Sequence, residues 1–547
     1  MELSYVSGIS DAPLSGETIG RLLRRRVAAS GNRLALVSRH QGLRLTWSEL
    51  GDRATAVARG LIAVGVEPGD RVGIWSPART EWTELQLGSA MVGAILVNIN
   101  PAYLSGELSY ALSAVGVRVL AAVPAFRDAD YLAMVKDVRG ACPSLERVVA
   151  IGVDGPVVGG VDSDMTWRDL LDAGEGVDVG AVEDRERRCD PDDPINIQFT
   201  SGTTGRPKGA TLTHHNVVNN GAIIGRQLRY SEDDTVCIPV PLYHCFGMGI
   251  GNLGCMASGA TIVYPAEAFD PLATLEALAE ERCTSIYGVP TMFIAMLGHP
   301  RFGEFDLSAL RTGIMAGAPC PIEIMKRVVD EMHASAMTIA YGMTETAPAS
   351  TLTRIDDRLE VRVSTVGSAL PHTEIKIADA GSGEIVARGE RGEICARGYL
   401  VMSGYWGDAD ATDAAVVDGW MHTGDLGTMD ADGNVSVVGR LTDMVIRGGE
   451  NIYPREIEEL LFTHPAVASA QVVGVPDDRL GEELAAFVIA AAGHEIDPEE
   501  IREFCRQRLA RFKVPRHVFA VEEFPMTVTG KIQKFRLREI ATGRLTG

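Results

Sequence analysis

The stretch that decides the fold of this 547-residue chain reads Thr200-Ser201-Gly202-Thr203-Thr204-Gly205-Arg206-Pro207-Lys208-Gly209. Its glycines allow tight turns and let backbone amides approach a ligand closely. Those amides and the hydroxyl groups can donate hydrogen bonds to phosphate oxygens, while Lys208 adds a positive charge. A solvated Ser/Thr/Gly linker has a similar composition, but residues 195–199 read as a strand that delivers the segment to a defined place. The stretch therefore predicts a loop that binds a polyphosphate, although it lacks the Gly-Lys-Ser/Thr ending of a Walker A loop.

Five further motifs follow this loop in a fixed order. They are Tyr341-Gly342-Met343-Thr344-Glu345, Thr423-Gly424-Asp425, Gly439-Arg440-Leu441-Thr442-Asp443, Arg447-Gly448-Gly449-Glu450-Asn451-Ile452-Tyr453-Pro454 and Pro525-Met526-Thr527-Val528-Thr529-Gly530-Lys531. Together the six motifs resemble those of the adenylate-forming superfamily, which contains acyl-CoA synthetases, firefly-type luciferases and peptide-synthetase adenylation domains. The resemblance extends from about Arg33 to Arg538. Within the superfamily, the chain is similar to fatty-acyl-CoA synthetases of the type of animal acyl-CoA synthetase family member 2.

Composition limits the class of protein and its partners. A chain of this length is expected to contain more than one domain, and 46% hydrophobic with 23% charged residues is typical of soluble globular proteins. A formal charge of −22 argues against nucleic acid as a partner. The nine cysteines have no zinc-site spacing and favour a reducing compartment. With no secretory signal and no apolar stretch long enough for a bilayer, we expect a cytoplasmic protein with at most peripheral membrane contact.

Short apolar segments alternate with amphipathic helical patterns through much of the chain. Strands are predicted at 71–76, 94–99, 260–264 and 285–288, and helices at 81–92 and 271–281. This alternation is typical of parallel α/β sheets. Residues 374–377 and 392–395 alternate polar and apolar side chains, which predicts a small antiparallel β unit. Helices predicted at 454–462 and 499–510 belong to a compact α+β unit at the C-terminus.

The resemblance implies how these pieces are organised. The fold class is α/β: a large N-terminal adenylation domain (residues 1–439) of parallel α/β sheets plus the small β unit, then a hinge (440–443) and a small mobile α+β lid domain (444–547). An active site between two domains is common, because closure excludes water and brings together groups from both sides. At the hinge, the superfamily usually has Asp or Lys two residues after the arginine. This chain has Thr442 there, which leaves the exact pivot open.

The same resemblance assigns nucleotide contacts. Residues 200–208 hold the β- and γ-phosphates of ATP. Glu345 coordinates Mg²⁺, a hard cation that prefers oxygen ligands, and Thr344 bonds the α-phosphate. Asp425 accepts hydrogen bonds from both ribose hydroxyls, and Arg440 contacts ribose or phosphate. The adenine is flanked by Gly317, Ala318 and Tyr341, and Gly342 completes the ATP-binding set.

The remaining assignments concern the acyl group and the thiol. Lys531 neutralises charge that builds between the carboxylate and the α-phosphate, and it is a predicted catalytic residue with Thr344 and Glu345. His244 is the fourth; a lone histidine is often only structural, but this one resembles the histidine at the junction of carboxylate and pantetheine. The predicted CoA-binding residues, which line the pantetheine tunnel after the lid rotates, are Arg447, Gly448, Gly449 and Glu450.

The function implied is an ATP-dependent fatty-acyl-CoA ligase. A carboxylic acid, medium- to long-chain by this similarity, reacts with ATP to give acyl-AMP and pyrophosphate, and CoA then takes the acyl group. Two alternatives share the motifs: a luciferase-like oxygenase acting on an acyl-adenylate, and a fatty acyl-AMP ligase that loads a carrier protein. The latter typically carries an insertion, and no extra segment lies between Glu345 and Asp425.

Overall fold

The computed structural model describes residues 2–9, 12–153, 163–200, 207–448, 450–477, 479–527 and 531–546. The α-helices among these residues span Ile19–Ser30, Trp47–Ala63, Thr80–Met91, Ser105–Val115, Tyr131–Arg139, Trp167–Gly174, Val179–Arg188, His214–Gln227, Gly254–Ser258, Pro271–Glu280, Pro290–Leu297, Ile322–Glu331, Leu359–Ser364, Ala409–Ala415, Pro454–Phe462, Pro498–Arg506 and Lys534–Thr546. A π-helix spans Phe246–Leu253, and 3₁₀ turns span Phe302–Glu304, Thr344–Thr346, Leu441–Asp443 and Arg511–Lys513. None of the described helices is long and apolar enough to traverse a bilayer.

The first sheet has eight strands and carries the start of the phosphate loop. In spatial order the strands are Met165–Thr166, Arg147–Ala150, Val117–Ala122, Arg71–Trp75, Ile95–Asn98, Pro194–Thr200, Lys208–Thr213 and Gly404–Tyr405. The first six run parallel to their neighbours, and the last two are antiparallel. Strands at the centre of a parallel sheet are covered on both faces, so they are apolar along their length. Ile95–Asn98, for example, is buried at every residue and is apolar except at Asn98.

The second sheet has nine strands, also with a parallel centre. In spatial order they are Ser368–Ala369, Ala349–Leu352, Ala336–Gly342, Thr312–Met315, Ser285–Gly288, Thr235–Cys237, Thr261–Tyr264, Leu34–Ser38 and Leu43–Thr46. The largest apolar core combines residues of both large sheets and their helices, including Trp47, Trp75 and Trp82. Ligands of parallel α/β sheets bind beyond the carboxyl ends of the strands. We therefore expect ligands to bind at the loops that follow strands Thr312–Met315, Ala336–Gly342 and Thr235–Cys237.

Two smaller sheets complete the chain, apart from a two-stranded pair, Ala125–Phe126 with Ala129–Asp130. The β unit is antiparallel, with strands Tyr5–Ser7, Thr373–Ala378, Gly392–Gly398, Trp420–Met429, Val416–Val417 and Val435–Arg440. The C-terminal sheet has strands Glu450–Ile452, Val445–Arg447, Gly481–Ala490, Val467–Asp477 and His517–Ala520. Separate apolar cores lie on its two faces, one with Ile457 and Ile501 and the other with Leu537. We call residues 444–547, described as far as residue 546, the lid.

The α/β class with a small C-terminal α+β unit, predicted from the sequence, is confirmed. One helix end differs from its prediction by more than one residue. The helix expected over residues 499–510 spans Pro498–Arg506 instead, because the chain tightens into a turn in which the amides of Arg508 and Leu509 both donate to the Cys505 carbonyl oxygen.

Candidate active site

The two ends of the phosphate loop are held side by side. Strands Pro194–Thr200 and Lys208–Thr213 are antiparallel neighbours, and Thr200 is the direct cross-strand partner of Lys208. The Tyr110 hydroxyl donates to the Pro207 carbonyl oxygen at 2.9 Å. The residues Ser201, Gly202, Thr203, Thr204, Gly205 and Arg206 lie outside the described part of the chain. The described residues therefore fix where the predicted loop begins and ends.

Glu345 lies against these loop ends. It sits in the 3₁₀ turn that follows strand Ala336–Gly342 and is 4% exposed. Its Oε1 accepts hydrogen bonds from the hydroxyls of Thr200 and Tyr405, both at 2.9 Å. The Lys208 ammonium lies 5.1 Å from the Tyr405 ring centroid, and burial together with Glu345 raises the pKa of the Tyr405 hydroxyl. Tyr405 thus links the carboxylate to the phosphate loop, although sequence reasoning did not identify it.

A second cluster joins Tyr341, Asp425 and Arg440. Asp425 is 7% exposed, and its Oδ2 accepts from the Tyr341 hydroxyl at 2.9 Å. Its Oδ1 accepts from Arg440 Nε at 2.8 Å, and the two residues are cross-strand partners. The Asp425 carboxylate raises the pKa of Arg440, while burial followed by Asp425 raises that of Tyr341. The structure therefore brings together three residues predicted separately as ATP contacts.

The peptide before Asp425 has its own anchor. Glu393 Oε1 accepts from the Gly424 amide at 2.9 Å, and Glu393 Oε2 lies 2.8 Å from His422 Nδ1. The Thr423 hydroxyl donates to the Ile394 carbonyl oxygen at 2.7 Å. Gly424 has φ +70°, a conformation that favours glycine. These bonds fix the turn that presents Asp425.

Lys531 reaches this region from the lid. Part of its side chain is exposed, yet its Cε lies 3.7 Å from the position that a Cβ on Gly317 would occupy. Gly317 follows strand Thr312–Met315 with φ +83°, so the predicted turn of Gly317 and Ala318 faces the lid lysine. Partial desolvation by the surrounding protein, and then the Arg440 guanidinium, lower the pKa of the Lys531 ammonium, against opposing contributions from Asp425 and Glu345. Lys531 therefore lies within electrostatic reach of both clusters.

His244 stands on the loop after strand Thr235–Cys237, on the same side as Lys531. Its ring centroid is 4.4 Å from that of Tyr243. Burial, and then the nearby Lys531 charge, lower the pKa of His244 to about 3, so the imidazole is neutral at ordinary pH. The next residue, Cys245, donates its thiol to the Thr344 hydroxyl at 3.8 Å. His244 and Thr344, distant in sequence, are thus neighbours through Cys245.

A cavity of about 290 Å³ opens beside this loop. Apolar side chains from several loops line it, and Tyr243 forms part of its wall. The lid contributes Met526 and Thr527, so the cavity lies where the lid meets the N-terminal region. Further lining residues are Phe126, Leu242, Phe269 and Met292.

In the described contacts, the predicted CoA-binding residues do not touch the cleft formed around Lys531 and His244. Arg447 is bonded inside the lid, to Glu483 Oε2 at 2.7 Å and to the Phe512 carbonyl oxygen at 2.6 Å. Gly448 has φ +61° and donates to the Leu480 carbonyl oxygen. Glu450 begins an exposed strand, and Gly449 lies outside the described residues, as does the side chain of Thr442.

Comparison with known proteins agrees with this geometry. Residues 23–406 match the AMP-binding enzyme family and residues 456–531 its C-terminal domain. The chain is 44% identical to the Bacillus subtilis protein named acyl-CoA synthetase YngI, covering 96% of this chain and 98% of the relative. It is 42% identical to the mitochondrial medium-chain acyl-CoA ligase ACSF2 of Danio rerio, covering 98% and 90%.

Two solved structures of one relative are similar to the whole chain. ATP-bound MatB from Rhodopseudomonas palustris is 30% identical, covers 96% of this chain and 99% of its own, and gives a TM-score of 0.82. Apo MatB, with the same identity and coverage, gives 0.73. The whole-chain similarity is therefore higher to the ATP-bound structure than to the apo structure. Because these matches extend over most of the chain, it belongs to the AMP-binding enzyme family, as its motifs indicated.

Proposed function

We propose that this protein is an ATP-dependent acyl-CoA ligase that forms an acyl-adenylate and then transfers the acyl group to CoA. One observation carries the proposal: Lys531 of the lid reaches the same cleft as Glu345, Asp425 and His244. The family membership and relatives named acyl-CoA synthetase or ligase support the same reaction. They do not favour the oxygenase or the carrier-loading ligase considered from the sequence.

The residues of the cleft suit the first half-reaction. A carboxylate that attacks the α-phosphorus of ATP brings two anions together, so positioned donors and cations must stabilise the transition state. Lys531 and Thr344 are proposed to act on the α-phosphate and the carboxylate, and Lys208 on the departing pyrophosphate. Asp425 with Tyr341 and Arg440 is proposed to bind the ribose and adenine end. Support comes from their convergence around one cleft.

Glu345 is the proposed ligand for Mg²⁺. Glu345 suits a hard cation, because it is a buried carboxylate that hydrogen bonds hold in place through one of its oxygens. Among the described residues, none donates a hydrogen bond to its Oε2. When bound, Mg²⁺ would neutralise charge on the ATP phosphates. Thr200 and Tyr405 hold the carboxylate in position for that role.

The acyl group is proposed to be a medium- to long-chain fatty acid. ACSF2 relatives are named medium-chain acyl-CoA ligases. The π-helix that begins two residues after His244 is largely apolar. Its Met248 and Ile250 are buried, as are Met292 and Phe293 of helix Pro290–Leu297. An apolar wall beside the reacting carboxylate would bind an aliphatic chain.

The second half-reaction requires a different lid position. We propose a hinge at residues 440–443, between an N-terminal domain that ends at 439 and the lid at 444–547, since a strand ends at Arg440 and the 3₁₀ turn Leu441–Asp443 follows. Rotation would bring Arg447 through Glu450 towards His244, where two glycines leave room for the pantetheine arm.

A cytoplasmic location stays a prediction; the nine free, buried cysteines suit a reducing compartment.

A panel assay tests this function. Pyrophosphate release and acyl-CoA formation are measured with saturated acids from C2 to C18 and with aromatic acids, with and without CoA. We expect acid-dependent pyrophosphate release, and acyl-CoA only when CoA is present. Oxygen-dependent light, or an acyl-AMP that accumulates unchanged with CoA present, would contradict the proposal.

A further inference from the structure

Three buried amide side chains hold the loop that carries His244. Gln198 Oε1 accepts from the Cys245 amide at 2.9 Å, and Asn98 Nδ2 donates to the Tyr243 carbonyl oxygen at 2.9 Å. The backbone groups on both sides of His244 are therefore fixed by side chains from the first sheet. Asn196 lies between the other two amides and bonds to each of them.

These bonds form one continuous circuit with a single direction. The Cys245 N–H donates to Gln198, Gln198 Nε2 donates to Asn196 Oδ1 at 2.7 Å, and Asn196 Nδ2 donates to Asn98 Oδ1 at 3.0 Å. Asn98 then donates to the Tyr243 carbonyl. Because the circuit starts on a backbone donor and ends on a backbone acceptor, the orientation of every amide in it is determined. Such chains polarise and strengthen one another.

The sheet register explains how the three residues meet. Gln198 is the direct partner of Asn98 in the parallel pair of strands Pro194–Thr200 and Ile95–Asn98, and Asn196 is two residues earlier on the same face. The three are only 1–2% exposed. Polar groups this deeply buried destabilise a protein unless they are hydrogen-bonded. Neighbours such as Ile197 and Val97 are apolar, so the sheet does not otherwise need amides here.

We propose that Asn98, Asn196 and Gln198 are positioning residues that fix the His244 loop and so set the shape of the acyl carboxylate site. The proposal rests on the proposed function, in which His244 lies at the reacting carboxylate. Gln198 is also two residues before Thr200 on one strand, so the loop is tied to the sheet position that begins the phosphate loop.

Steady-state kinetics on variants that open the circuit at its two ends test this proposal. Asn98→Ala and Gln198→Ala should each raise KM for the fatty acid about tenfold, with KM for ATP changed less than twofold. Because both ends belong to one circuit, the KM of the double variant for the fatty acid should be less than threefold above that of either single variant. If the two bonds acted independently, their effects would multiply, and the KM of the double variant would be roughly a hundredfold above that of the parent.

The matched control is Asn219→Ala. Asn219 is 1% exposed and makes comparable bonds, accepting from the Ser15 amide and donating to the Ser15 and His215 carbonyl oxygens, away from the His244 loop. It should lower Tm as much as the circuit variants but leave KM for the acid unchanged. Circuit variants with parent KM and only a lowered Tm would overturn the proposal.

Amide hydrogen exchange on the parent protein needs no variant and covers the case in which a variant does not fold. The Cys245 amide should exchange slowly although it lies in a loop, and exchange as fast as in an unbonded loop would overturn the proposal. If the parent makes no acyl-CoA, the proposed function fails instead, and the exchange measurement still reports on the circuit.

Discussion

At the scale of single residues, the cleft contains two carboxylates, Glu345 and Asp425, whose hydrogen bonds the structure defines. Glu345→Gln removes the charge proposed to bind Mg²⁺ but keeps the shape and both acceptor contacts at one oxygen. We expect adenylation to slow by on the order of 100-fold with little change in Tm. The measurement is acyl-AMP formation against Mg²⁺ concentration. A variant with the parent rate at saturating Mg²⁺ would contradict the metal assignment.

Tyr405 is a residue that the motifs did not identify. Tyr405→Phe keeps the ring beside Lys208 and removes only the hydroxyl that donates to Glu345. Loss of one bond to a charged carboxylate corresponds to about 1.5–3 kcal/mol, or roughly 10–150-fold. Adenylation should slow by that factor, while transfer from supplied acyl-AMP to CoA should not change. An equal effect on both steps would show that Tyr405 acts on the fold rather than on Glu345.

Asp425 accepts hydrogen bonds from two residues, Tyr341 and Arg440, that are also proposed to bind the nucleotide. Asp425→Ala removes a charged acceptor and leaves Tyr341 and Arg440 without it. We expect ATP affinity to fall by about 1.5–3 kcal/mol, or roughly 10–150-fold. Titration with ATP and 2′-deoxy-ATP measures it: the parent should discriminate between them and the variant should not. Parent-like ATP affinity in the variant would refute the ribose role.

At the scale of elements, helix His214–Gln227 provides a test of pH dependence. His214 is fully buried, its Nδ1 accepts from the Ile19 amide at 3.1 Å, and burial lowers its pKa to about 3. The unfolded chain therefore binds a proton that the folded chain does not, between about pH 6.5 and 3. Stability should be complete above pH 6.5 and fall as the pH falls through this window.

The variant His214→Asn retains an acceptor near Nδ1 but does not titrate. Its free energy of unfolding should fall less steeply between pH 6 and 4, by about 1.4 kcal/mol per pH unit for one proton. Denaturant unfolding at several pH values measures the slope. An unchanged slope would mean that His214 is already charged in the folded protein.

The sequence was most informative where a short segment carries both the fold and the chemistry. The motifs around Tyr341, Asp425 and Lys531 predicted the ATP contacts, and the structure brings these residues to one cleft. The amides of Asn98 and Gln198 could not be predicted this way, because they are 100 positions apart and meet only through sheet register. The N-terminal strand Tyr5–Ser7 is similar, since its partner Thr373–Ala378 lies far along the chain.

At the scale of the whole molecule, the lid holds the position in which Lys531 reaches the cleft. The lid also contacts the N-terminal region elsewhere: Arg455 donates to the Val437 carbonyl oxygen at 2.7 Å, and Arg391 lies 4.8 Å from the Tyr453 ring centroid. The higher TM-score with ATP-bound than with apo MatB agrees with this arrangement. We propose that this lid position is the adenylate-forming one and that thioester formation needs the hinge to move.

The two half-reactions of Lys531→Ala test this account most directly. Acyl-AMP formation from acid and ATP is measured separately from acyl-CoA formation from supplied acyl-AMP and CoA, for the variant and the parent. Because we propose that Lys531 faces the cleft in only one lid position, the variant should form acyl-AMP about 10²–10³-fold more slowly and convert supplied acyl-AMP at nearly the parent rate. If both steps slow equally, or if neither does, the claim that one lid position serves adenylation through Lys531 is wrong.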